Sequence, residues 1–214
     1  MQKGKVACLI GDFYHQPGPI REMLEALFQV LGWEGEFFLD PEKMPWKNLD
    51  RYLCFVLAKE ARTDPVRSRL IWNTQEMDAS LFGFVEGGGG LLVLHNGLAS
   101  YDPEGVICGL SRGRFLYHPP EQPEFQIRPV SQGQPAFPVF SVVDEKYFVQ
   151  VKSAKTEIVL ESYSPDYGTS AAAWKHSEGK GRVFCFTPGH NPPVLAHVPY
   201  RSVVLEALKW LSKH

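Results

Sequence analysis

The chain has 214 residues, of which 44% are hydrophobic and 21% charged, the ordinary balance of a soluble globular protein. Its formal net charge of −2 argues against bulk electrostatic binding to nucleic acid or to an anionic membrane. No apolar run approaches the roughly 20 residues of a membrane helix, and the N-terminus lacks the apolar region and cleavage site of a signal peptide. We therefore expect a cytoplasmic protein with one domain over residues 1–214.

The first quarter of the chain alternates strand and helix patterns. Residues 5–11 form an apolar run bounded by glycines, which predicts a buried strand. Residues 19–32 place their apolar side chains on one helical face, and Gly32 is positioned to end that helix. Residues 34–40 and 51–58 are short and rich in aromatic or aliphatic side chains. Both segments are predicted strands.

The next segment predicts a second crossover helix and a further strand. Asn73 and Glu76 match an N-cap and capping box, and Gly87 can end the helix that they begin. Residues 91–95 form the following buried strand. Helices that alternate with short buried strands indicate a mainly parallel sheet covered on both faces. The sequence thus predicts a three-layer α/β/α, flavodoxin-like fold.

The second half of the chain is less regular. Residues 111–140 are dense in Pro and Gly, which predicts loops, a short strand around Phe125 to Arg128 and little helix. Three further strands are predicted at 157–163, 170–176 and 181–187. A turn at 177–181 joins the last two, so we expect an antiparallel C-terminal extension of the sheet. An amphipathic helix at 200–213 closes the chain.

The four cysteines and one tryptophan are predicted to be structural. The cysteines Cys8, Cys54, Cys108 and Cys185 are scattered, and no pair has CxxC spacing. A zinc knuckle or a thioredoxin-like redox pair is therefore not supported, and we expect the thiols to be buried as small hydrophobic groups. Trp174 could stack on a sugar ring, but its apolar neighbours favour a core position.

Polar residues follow three of the predicted strands, at the carboxyl edge where open parallel sheets bind ligands. Each of these segments carries a histidine: His15, His95 and His190. The same segments also contain Asp12, Tyr14, Asn96, Tyr101 and Asn191. A single loop histidine is more often a residue that bonds backbone, whereas three at one edge predict a shared ligand site.

His118 and the segment Asp144, Glu145 and Tyr147 are further candidates. A carboxylate beside a histidine can fix its tautomer or raise its basicity, and both residue types bind divalent metals. The chain has no HxH, HxxxH or HExxH spacing, so a divalent metal is only weakly indicated and the cofactor is left undetermined. Asp144 and Glu145 fit a solvated turn equally well.

Five segments together resemble the ThuA-like (trehalose-utilisation) family of the class I glutamine amidotransferase-like superfamily. They are FVEGGGGLLVLH, FLYHPP, RPVSQG, VVDEKY and GKGRVFCFTPGH. The resemblance covers almost the whole chain, and its first and last segments are the most specific. It implies the amidotransferase-like version of the α/β/α fold and a carbohydrate ligand, a disaccharide or keto-sugar derivative, used in sugar catabolism.

The same resemblance implies that the chain lacks glutaminase activity. Amidotransferases carry a cysteine nucleophile at the turn that matches VLHNG, so His95 occupies the cysteine position. Thr187 and Gly189 fall where their triad has histidine and glutamate. Thiolate attack on an amide needs a cysteine paired with a base. Arg128 stands where many relatives have histidine, either changing selectivity toward an anionic group or serving a structural role.

Two hypotheses about function follow. In the first, the protein is a sugar-directed hydrolase, lyase or isomerase, with His95 or His190 as general base and Asp144 and Glu145 orienting it or helping to hold a metal. In the second, it is a non-catalytic sugar-binding or regulatory module. The remaining candidates are assigned to substrate binding: Asp12, Tyr14, His15, Asn96, Tyr101, His118, Tyr147 and Asn191. The expected partner is a small carbohydrate rather than nucleic acid or membrane, with homo-oligomerisation left open.

Overall fold

The structure, a computed structural model, describes residues 4–130, 137–152 and 154–213. Its strands are β1 (Lys5–Ile10), β2 (Glu34–Phe38), β3 (Cys54–Ala58), β4 (Gly90–Leu94), β5 (Gly113–Tyr117), β6 (Glu124–Pro129), β7 (Phe140–Val143), β8 (Phe148–Val151), β9 (Glu157–Ser164), β10 (Gly168–Glu178) and β11 (Gly181–Phe186). Its helices are α1 (Pro17–Leu31), α2 (Gln75–Glu86), α3 (Val106–Ser111), α4 (Pro192–Ala196) and α5 (Val198–Leu211). Among the described residues, no helix has the length and apolar character needed to cross a membrane.

A nine-stranded sheet forms the centre of the molecule, in the order β2-β1-β3-β4-β11-β10-β9-β6-β7. The first five strands of this order are parallel, and β10, β9, β6 and β7 each pair antiparallel with the preceding neighbour. Strands β5 and β8 form a separate antiparallel pair. The predicted parallel sheet with an antiparallel extension is confirmed.

Helices cover both faces of the sheet because its parallel strands are apolar on both sides. Alternate residues of β1 enter opposite cores, as the two-residue period of a strand requires. Val6 and Cys8 pack with residues of α1 and α5, whereas Ala7 and Leu9 pack with residues of α2 and α3. Two buried cores on opposite faces make the three-layer α/β/α architecture that the sequence predicted.

The helix ends follow the predictions except at one cap. Gly32 ends α1 in the left-handed conformation, with φ of 71°. Helix α2 is capped by Thr74, whose hydroxyl accepts from the Met77 N–H at 3.3 Å, so the prediction of Asn73 as N-cap was wrong. A cap must reach the N–H two or three residues ahead, and Asn73 lies one position too early. Its amide instead donates to the Asp78 carboxylate at 3.0 Å.

The second half contains more strand than the sequence indicated. The short strand around Phe125 to Arg128 is present as β6, but β5, β7 and β8 were not predicted. Strand β5 leaves Leu116 and Tyr117 exposed, so its residues do not alternate between apolar and polar. Because that alternation is the main sequence signal of a half-buried strand, β5 resembles a loop in sequence.

The cysteines and Trp174 are core residues, as predicted. All four thiols are free and buried, and burial raises the pKa of Cys54 to about 12. The Trp174 side chain is inaccessible to solvent, and its indole N–H donates to the Ser111 carbonyl at 2.6 Å. Trp174 therefore has no ring face available for a sugar.

A tight 3-10 turn at residues 95–98 follows β4 directly. Gly97 packs so closely against β3 that a Cβ atom there would lie 2.3 Å from the Leu57 carbonyl oxygen. We expect Gly97→Ala to destabilise the fold by roughly 1–3 kcal/mol because the backbone must move apart. Gly109→Ala is the matched control, since a Cβ there meets no atom within 4 Å. Equal unfolding midpoints in urea for both variants would contradict this account of the turn.

The buried imidazole of His176 on β10 should make the fold sensitive to acid. Burial, with the positive charge of Arg112 as the next cause, lowers the pKa of His176 to about 4, whereas an unfolded histidine titrates near about 6.5. The neutral form therefore stabilises the fold above about pH 6.5, and this contribution is lost as the pH falls toward about 4. His176→Leu removes the dependence. Relative to the unmodified protein, the variant should gain about 2.5 kcal/mol of unfolding free energy between about pH 7.5 and about pH 4.5, measured by urea titration. If the unfolding free energies of the two proteins changed in parallel with pH, the role assigned to His176 would be wrong.

Candidate functional site

Three strands of the parallel sheet end close together, and each is followed by one of the predicted histidines. His15 follows β1, His95 follows β4 and His190 follows β11. The centroid of the His15 ring lies 5.0 Å from that of His95 and 4.9 Å from that of His190. The centroids of His95 and His190 are 5.6 Å apart. The structure thus brings the three side chains into one cluster.

His95 lies in the sharp turn after β4 and is almost fully buried. Its φ of 39° is unusual for a residue other than glycine. Its Nδ1 lies 2.7 Å from the Thr187 carbonyl oxygen, which can only accept, so Nδ1 carries a proton and, in the neutral ring, Nε2 keeps a lone pair. Among the described residues, Nε2 finds no hydrogen-bond partner. It lies 3.4 Å from Glu145 Oε2.

Asp12 orients His15 and connects the ends of three strands. Its carboxylate accepts from His15 Nδ1 at 2.7 Å, from the Asn96 amide at 2.6 Å and from the Glu60 backbone N–H at 2.8 Å. Burial alone would raise the pKa of Asp12, but these hydrogen bonds and the His15 charge outweigh it and hold the pKa well below its usual range. Asp12 is therefore an anion that fixes its neighbours.

Asp144 holds the backbone of the loop that carries His190. The fully buried carboxylate accepts from the backbone N–H groups of Gly189 at 2.7 Å, Asn191 at 2.9 Å and His190 at 3.3 Å. It holds the loop after β11 rather than facing the histidine rings. The alternative of a solvated turn for Asp144 and Glu145 was wrong, because the side chains of both residues are largely buried.

Glu145 places its carboxylate among the histidines. Oε1 lies 3.3 Å from His190 Nδ1 and 3.7 Å from His118 Nε2, and Oε2 faces His95. Burial raises the pKa of Glu145, but its interactions with His190 and His95 outweigh burial and bring the pKa well below its usual range. In return, Glu145 raises the pKa of His190. The cluster therefore combines a carboxylate anion with three basic imidazoles.

Two aromatic candidates are buried beside or below this cluster. Tyr147 stacks on His95 with centroids 4.2 Å apart and contacts Phe115 on its other side. The Tyr101 hydroxyl donates to the Lys59 carbonyl at 2.6 Å, and its ring packs edge-on against Trp72. Tyr147 thus supports His95, while Tyr101 supports the core beneath the site.

Other candidates lie at the rim or farther away. His118 is a third exposed, and its Nδ1 lies 2.6 Å from the Pro119 carbonyl oxygen. The Asn191 amide donates to Gln122 at 2.7 Å and to the Val143 carbonyl at 3.0 Å. Arg128 lies on β6, three strands from β11, and pairs with Glu161 at 2.7 Å. This geometry favours the structural role for Arg128.

A cavity of about 310 Å³ adjoins the cluster, within the size range of small-molecule sites. Its polar lining consists of Tyr14, His15, Gln16, Asn96, His190 and Asn191. Pro19, Ile20 and Leu195 add apolar wall. His15 and His190 therefore belong both to the cluster and to the wall of the cavity.

The sequence analysis missed the residues after β3, which ends at the same edge. Lys59 donates to the Gly11 carbonyl at 2.6 Å, and the buried Glu60 carboxylate accepts from Ser100 at 2.7 Å and pairs with Arg62. The available signal was the strand end itself, because every parallel strand of the sheet terminates at this edge. These groups brace the loops on which Asp12 and Asn96 lie.

One subset of the cluster has the composition of a metal-binding site. His15, His95, Glu145 and His190 each offer one ligand atom, and these atoms all lie within 4.8 Å of one another. Asp12 and Asp144 are outside the subset because their oxygens are already engaged.

Fold and site together define an α/β/α protein with a histidine and carboxylate cluster at the carboxyl edge of its parallel strands. The chain belongs to the ThuA family, described as trehalose utilisation, whose family model matches residues 5–211. The resemblance seen in the sequence is thereby confirmed. A search of curated proteins finds no match.

Similar solved structures share this fold at low sequence identity. A ThuA-like protein from Parabacteroides merdae has a TM-score of 0.78 and 13% identity, covering 99% of this chain and 91% of that one. A cytoplasmic protein from Salmonella typhimurium LT2 has a TM-score of 0.70 and 14% identity, covering 98% and 100%. A β-galactosidase from Rahnella sp. R3 has a TM-score of 0.64 and 9% identity, covering 98% of this chain but 32% of that one.

Asp12→Asn tests whether one carboxylate stabilises the loops of the site. The change keeps the shape but removes the charge, and we expect a loss of about 2–3 kcal/mol near neutral pH. Because the folded-state pKa of Asp12 is depressed, its contribution is present above about pH 4 and is lost as the pH falls. The difference between the two proteins, measured by urea unfolding, should therefore shrink toward about pH 3.

Asp64→Asn is the control for this measurement. Asp64 also accepts two backbone N–H groups, from Val66 and Arg67, but those bonds are exposed to solvent. The Asp64→Asn change should lower the free energy of unfolding by less than about 1 kcal/mol. If Asp12→Asn were no more costly than Asp64→Asn, the anchoring role of Asp12 would be wrong.

Proposed function

We propose that this protein binds a carbohydrate, a disaccharide or keto-sugar derivative, and acts on it as a hydrolase, lyase or isomerase of sugar catabolism. The observation that carries the proposal is the convergence of His15, His95, His190 and Glu145 beside a cavity of about 310 Å³. Membership of a family described as trehalose utilisation supports the sugar ligand. The proposal includes a cytoplasmic location and neither nucleic acid nor membrane as partner.

The catalytic set is His95, His190 and Glu145, with Asp144 positioning the loop that carries His190. In its neutral form His95 presents the lone pair of Nε2 to the cluster, and Glu145 raises the pKa of His190. Such a group can take a proton from a sugar hydroxyl, or hold a divalent ion that would lower the pKa of that hydroxyl. His190 also lines the cavity, so it reaches the ligand directly.

The cavity wall offers groups that suit sugar recognition. Asn96 uses its amide N–H groups on Asp12 and the Ala58 carbonyl, which leaves its carbonyl oxygen as an acceptor. Gln16 and Tyr14 add donors and acceptors for hydroxyl groups. Tyr14 is half exposed and forms an edge-to-face pair with Phe13 at 5.0 Å. Aromatic faces of this kind pack against the apolar side of a pyranose ring.

Glutaminase activity is not part of the proposal. Thiolate catalysis needs an accessible cysteine beside a base, and all four thiols are buried away from the turn after β4. Cys185, the one nearest in sequence to His190, lies within β11, and burial raises its pKa well above the ordinary value. The turn presents His95 instead.

The alternative function is a non-catalytic sugar-binding or regulatory module on the same scaffold. The observation that favours it is the identity of the residues at the turn after β4 and the loop after β11. His95 and Thr187 occupy positions where the superfamily resemblance implies a nucleophile and its base, and they bond to each other through the Thr187 backbone. Such a module would bind a saccharide and release it unchanged.

His190→Ala separates these functions. The enzyme hypothesis predicts that kcat/KM for a converted saccharide falls by at least about 100-fold, the usual contribution of one acid–base group, while the unfolding temperature changes little. Panels of disaccharides and their keto derivatives are followed by NMR, with thermal shifts recorded in parallel. The control is His197→Ala, whose ring contacts Phe140 outside the cluster and whose loss should leave turnover unchanged.

A saccharide that raises the unfolding temperature but is recovered unchanged would establish the binding module instead. Full turnover in His190→Ala would contradict the catalytic assignment. If no saccharide of the panel shifted the unfolding temperature or was converted, the carbohydrate proposal itself would fail.

A further inference from the structure

We propose that His15 Nε2, His95 Nε2, His190 Nδ1 and the Glu145 carboxylate form a binding centre for one divalent ion of the zinc class. The ion would lie at the wall of the cavity, where a ligand could reach it. The inference concerns the same cluster as the proposed function. It is tested by metal content and coordination, so either proposal can fail without the other.

The distances between the donor atoms match one small ion. A tetrahedral site with metal–nitrogen distances of about 2.0–2.1 Å has ligand atoms about 3.3–3.4 Å apart. His190 Nδ1 lies 3.3 Å from Glu145 Oε1, and His95 Nε2 lies 3.4 Å from Glu145 Oε2. His15 Nε2 lies 3.0 Å from His190 Nδ1. One donor atom from each of the four residues lies within 4.8 Å of the others, so the side chains would draw closer together around an ion.

A network of hydrogen bonds alone does not account for the cluster. His190 Nδ1 can donate to Glu145 or to His15 Nε2, which satisfies those atoms without an ion. His95 Nε2 is different, because Nδ1 holds the proton of the neutral ring and no described residue donates to the remaining lone pair on Nε2. A buried lone pair without a partner is costly. It points at the other three donors, and a cation supplies the missing partner.

The surroundings orient each imidazole as metal-binding histidines usually are. Such histidines donate their second N–H to a carboxylate or a backbone carbonyl, which fixes the tautomer and the ring direction. His15 donates to Asp12 at 2.7 Å and His95 donates to the Thr187 carbonyl at 2.7 Å. The backbone of His190 is held by Asp144 at 3.3 Å. The rings of His15 and His95 are therefore oriented before an ion arrives, and the loop that carries His190 is held in place.

The donor set selects the class of ion. Mg²⁺ and Ca²⁺ take shells of oxygen ligands, whereas this cluster offers three imidazole nitrogens and one carboxylate. Imidazole suits Zn²⁺ and neighbouring transition ions, while the softer Cu⁺ prefers sulfur. All four cysteines of the chain are buried, three within strands and one within α3. The geometry thus points to Zn²⁺, with Co²⁺ as a spectroscopic substitute.

An ion at this position would face the cavity. His15 and His190 line it, whereas His95 lies beneath them with 2% of its side chain exposed. An ion with protein ligands on one side and open space on the other can accept a water or a sugar oxygen as a further ligand. It would then lower the pKa of that hydroxyl or polarise a carbonyl. Either effect would assist proton transfer in a sugar hydrolase, lyase or isomerase.

The test uses the full-length protein, purified without a histidine tag, stripped with a chelator and titrated with ZnCl₂. We expect one Zn²⁺ per chain by calorimetry and by elemental analysis. At a free concentration of about 100 times Kd, the unfolding temperature should rise by roughly 5–10 °C. CoCl₂ should give the intense visible absorption of four- or five-coordinate Co²⁺ rather than the weak bands of a six-coordinate ion.

Variants assign the ligands. His190→Ala and Glu145→Gln should each raise the Kd for Zn²⁺ by more than about 100-fold, beyond the roughly 10- to 100-fold typical of an outer-shell change. Both side chains are partly exposed, and circular dichroism confirms folding before either is titrated. The matched control is His118→Ala, which removes an imidazole 3.7 Å from the same Glu145 carboxylate but outside the proposed set. Because His118 would act on the ion only through Glu145, its loss should raise the Kd for Zn²⁺ by at most the roughly 10- to 100-fold of an outer-shell change.

Several outcomes would contradict the proposal of a metal centre. They are a folded wild-type protein that binds no stoichiometric Zn²⁺, folded ligand variants that bind as tightly as wild type, and a His118→Ala variant that loses the ion equally. Turnover of a saccharide by metal-free protein would overturn the catalytic use of the ion while leaving the proposed function in place. Tight Zn²⁺ binding without turnover of any saccharide would support the metal centre and contradict the proposed enzyme function.

Discussion

The Asp12 carboxylate is the constraint on which the site depends. Three strands of the parallel sheet, β1, β3 and β4, end at one edge, and a single buried anion joins the loop after each. The carboxylate accepts hydrogen bonds from the His15 ring in the first loop, from the Glu60 backbone N–H in the second and from the Asn96 amide in the third. A charged acceptor forms stronger hydrogen bonds than a neutral one. Because Asp12 bonds three separate loops, the positions of His15 and of the His95 turn are coupled to each other.

The fourth strand end is secured by a second carboxylate from elsewhere in the chain. Asp144 lies between β7 and β8, in the irregular half of the sequence, yet its oxygens accept the backbone N–H groups of the loop after β11. Loops carry the reactive groups of this fold because the sheet beneath them is rigid. Here two buried anions make those loops rigid as well, which favours ligand groups that are oriented before binding.

The sequence was informative wherever one local pattern decided the outcome. The apolar runs predicted β1, β3 and β4, and the rule about strand ends predicted that His15, His95 and His190 would meet. It was less informative where partners are distant in the chain. Nothing local to Asp144 and Glu145 shows that one bonds backbone while its neighbour faces three histidines. Likewise, the pairing of β5 with β8 joins residues that are more than thirty positions apart, and neither strand alternates cleanly between apolar and polar residues.

The position of Glu145 explains why the antiparallel half of the molecule matters for chemistry. The Asp12 carboxylate after β1 is engaged by His15, Asn96 and the Glu60 N–H. The carboxylate that faces the three imidazoles comes instead from a connection that crosses to this edge of the sheet. The segment between β7 and β8 does this, and it is anchored on both sides of Glu145. Asp144 bonds the loop after β11, while the buried Lys146 donates to Ser162 at 3.3 Å and lies 4.3 Å from the Phe148 ring. The turn after β4 holds a buried imidazole, and the anchored carboxylate opposite it makes that imidazole part of a charged, nitrogen-rich cluster.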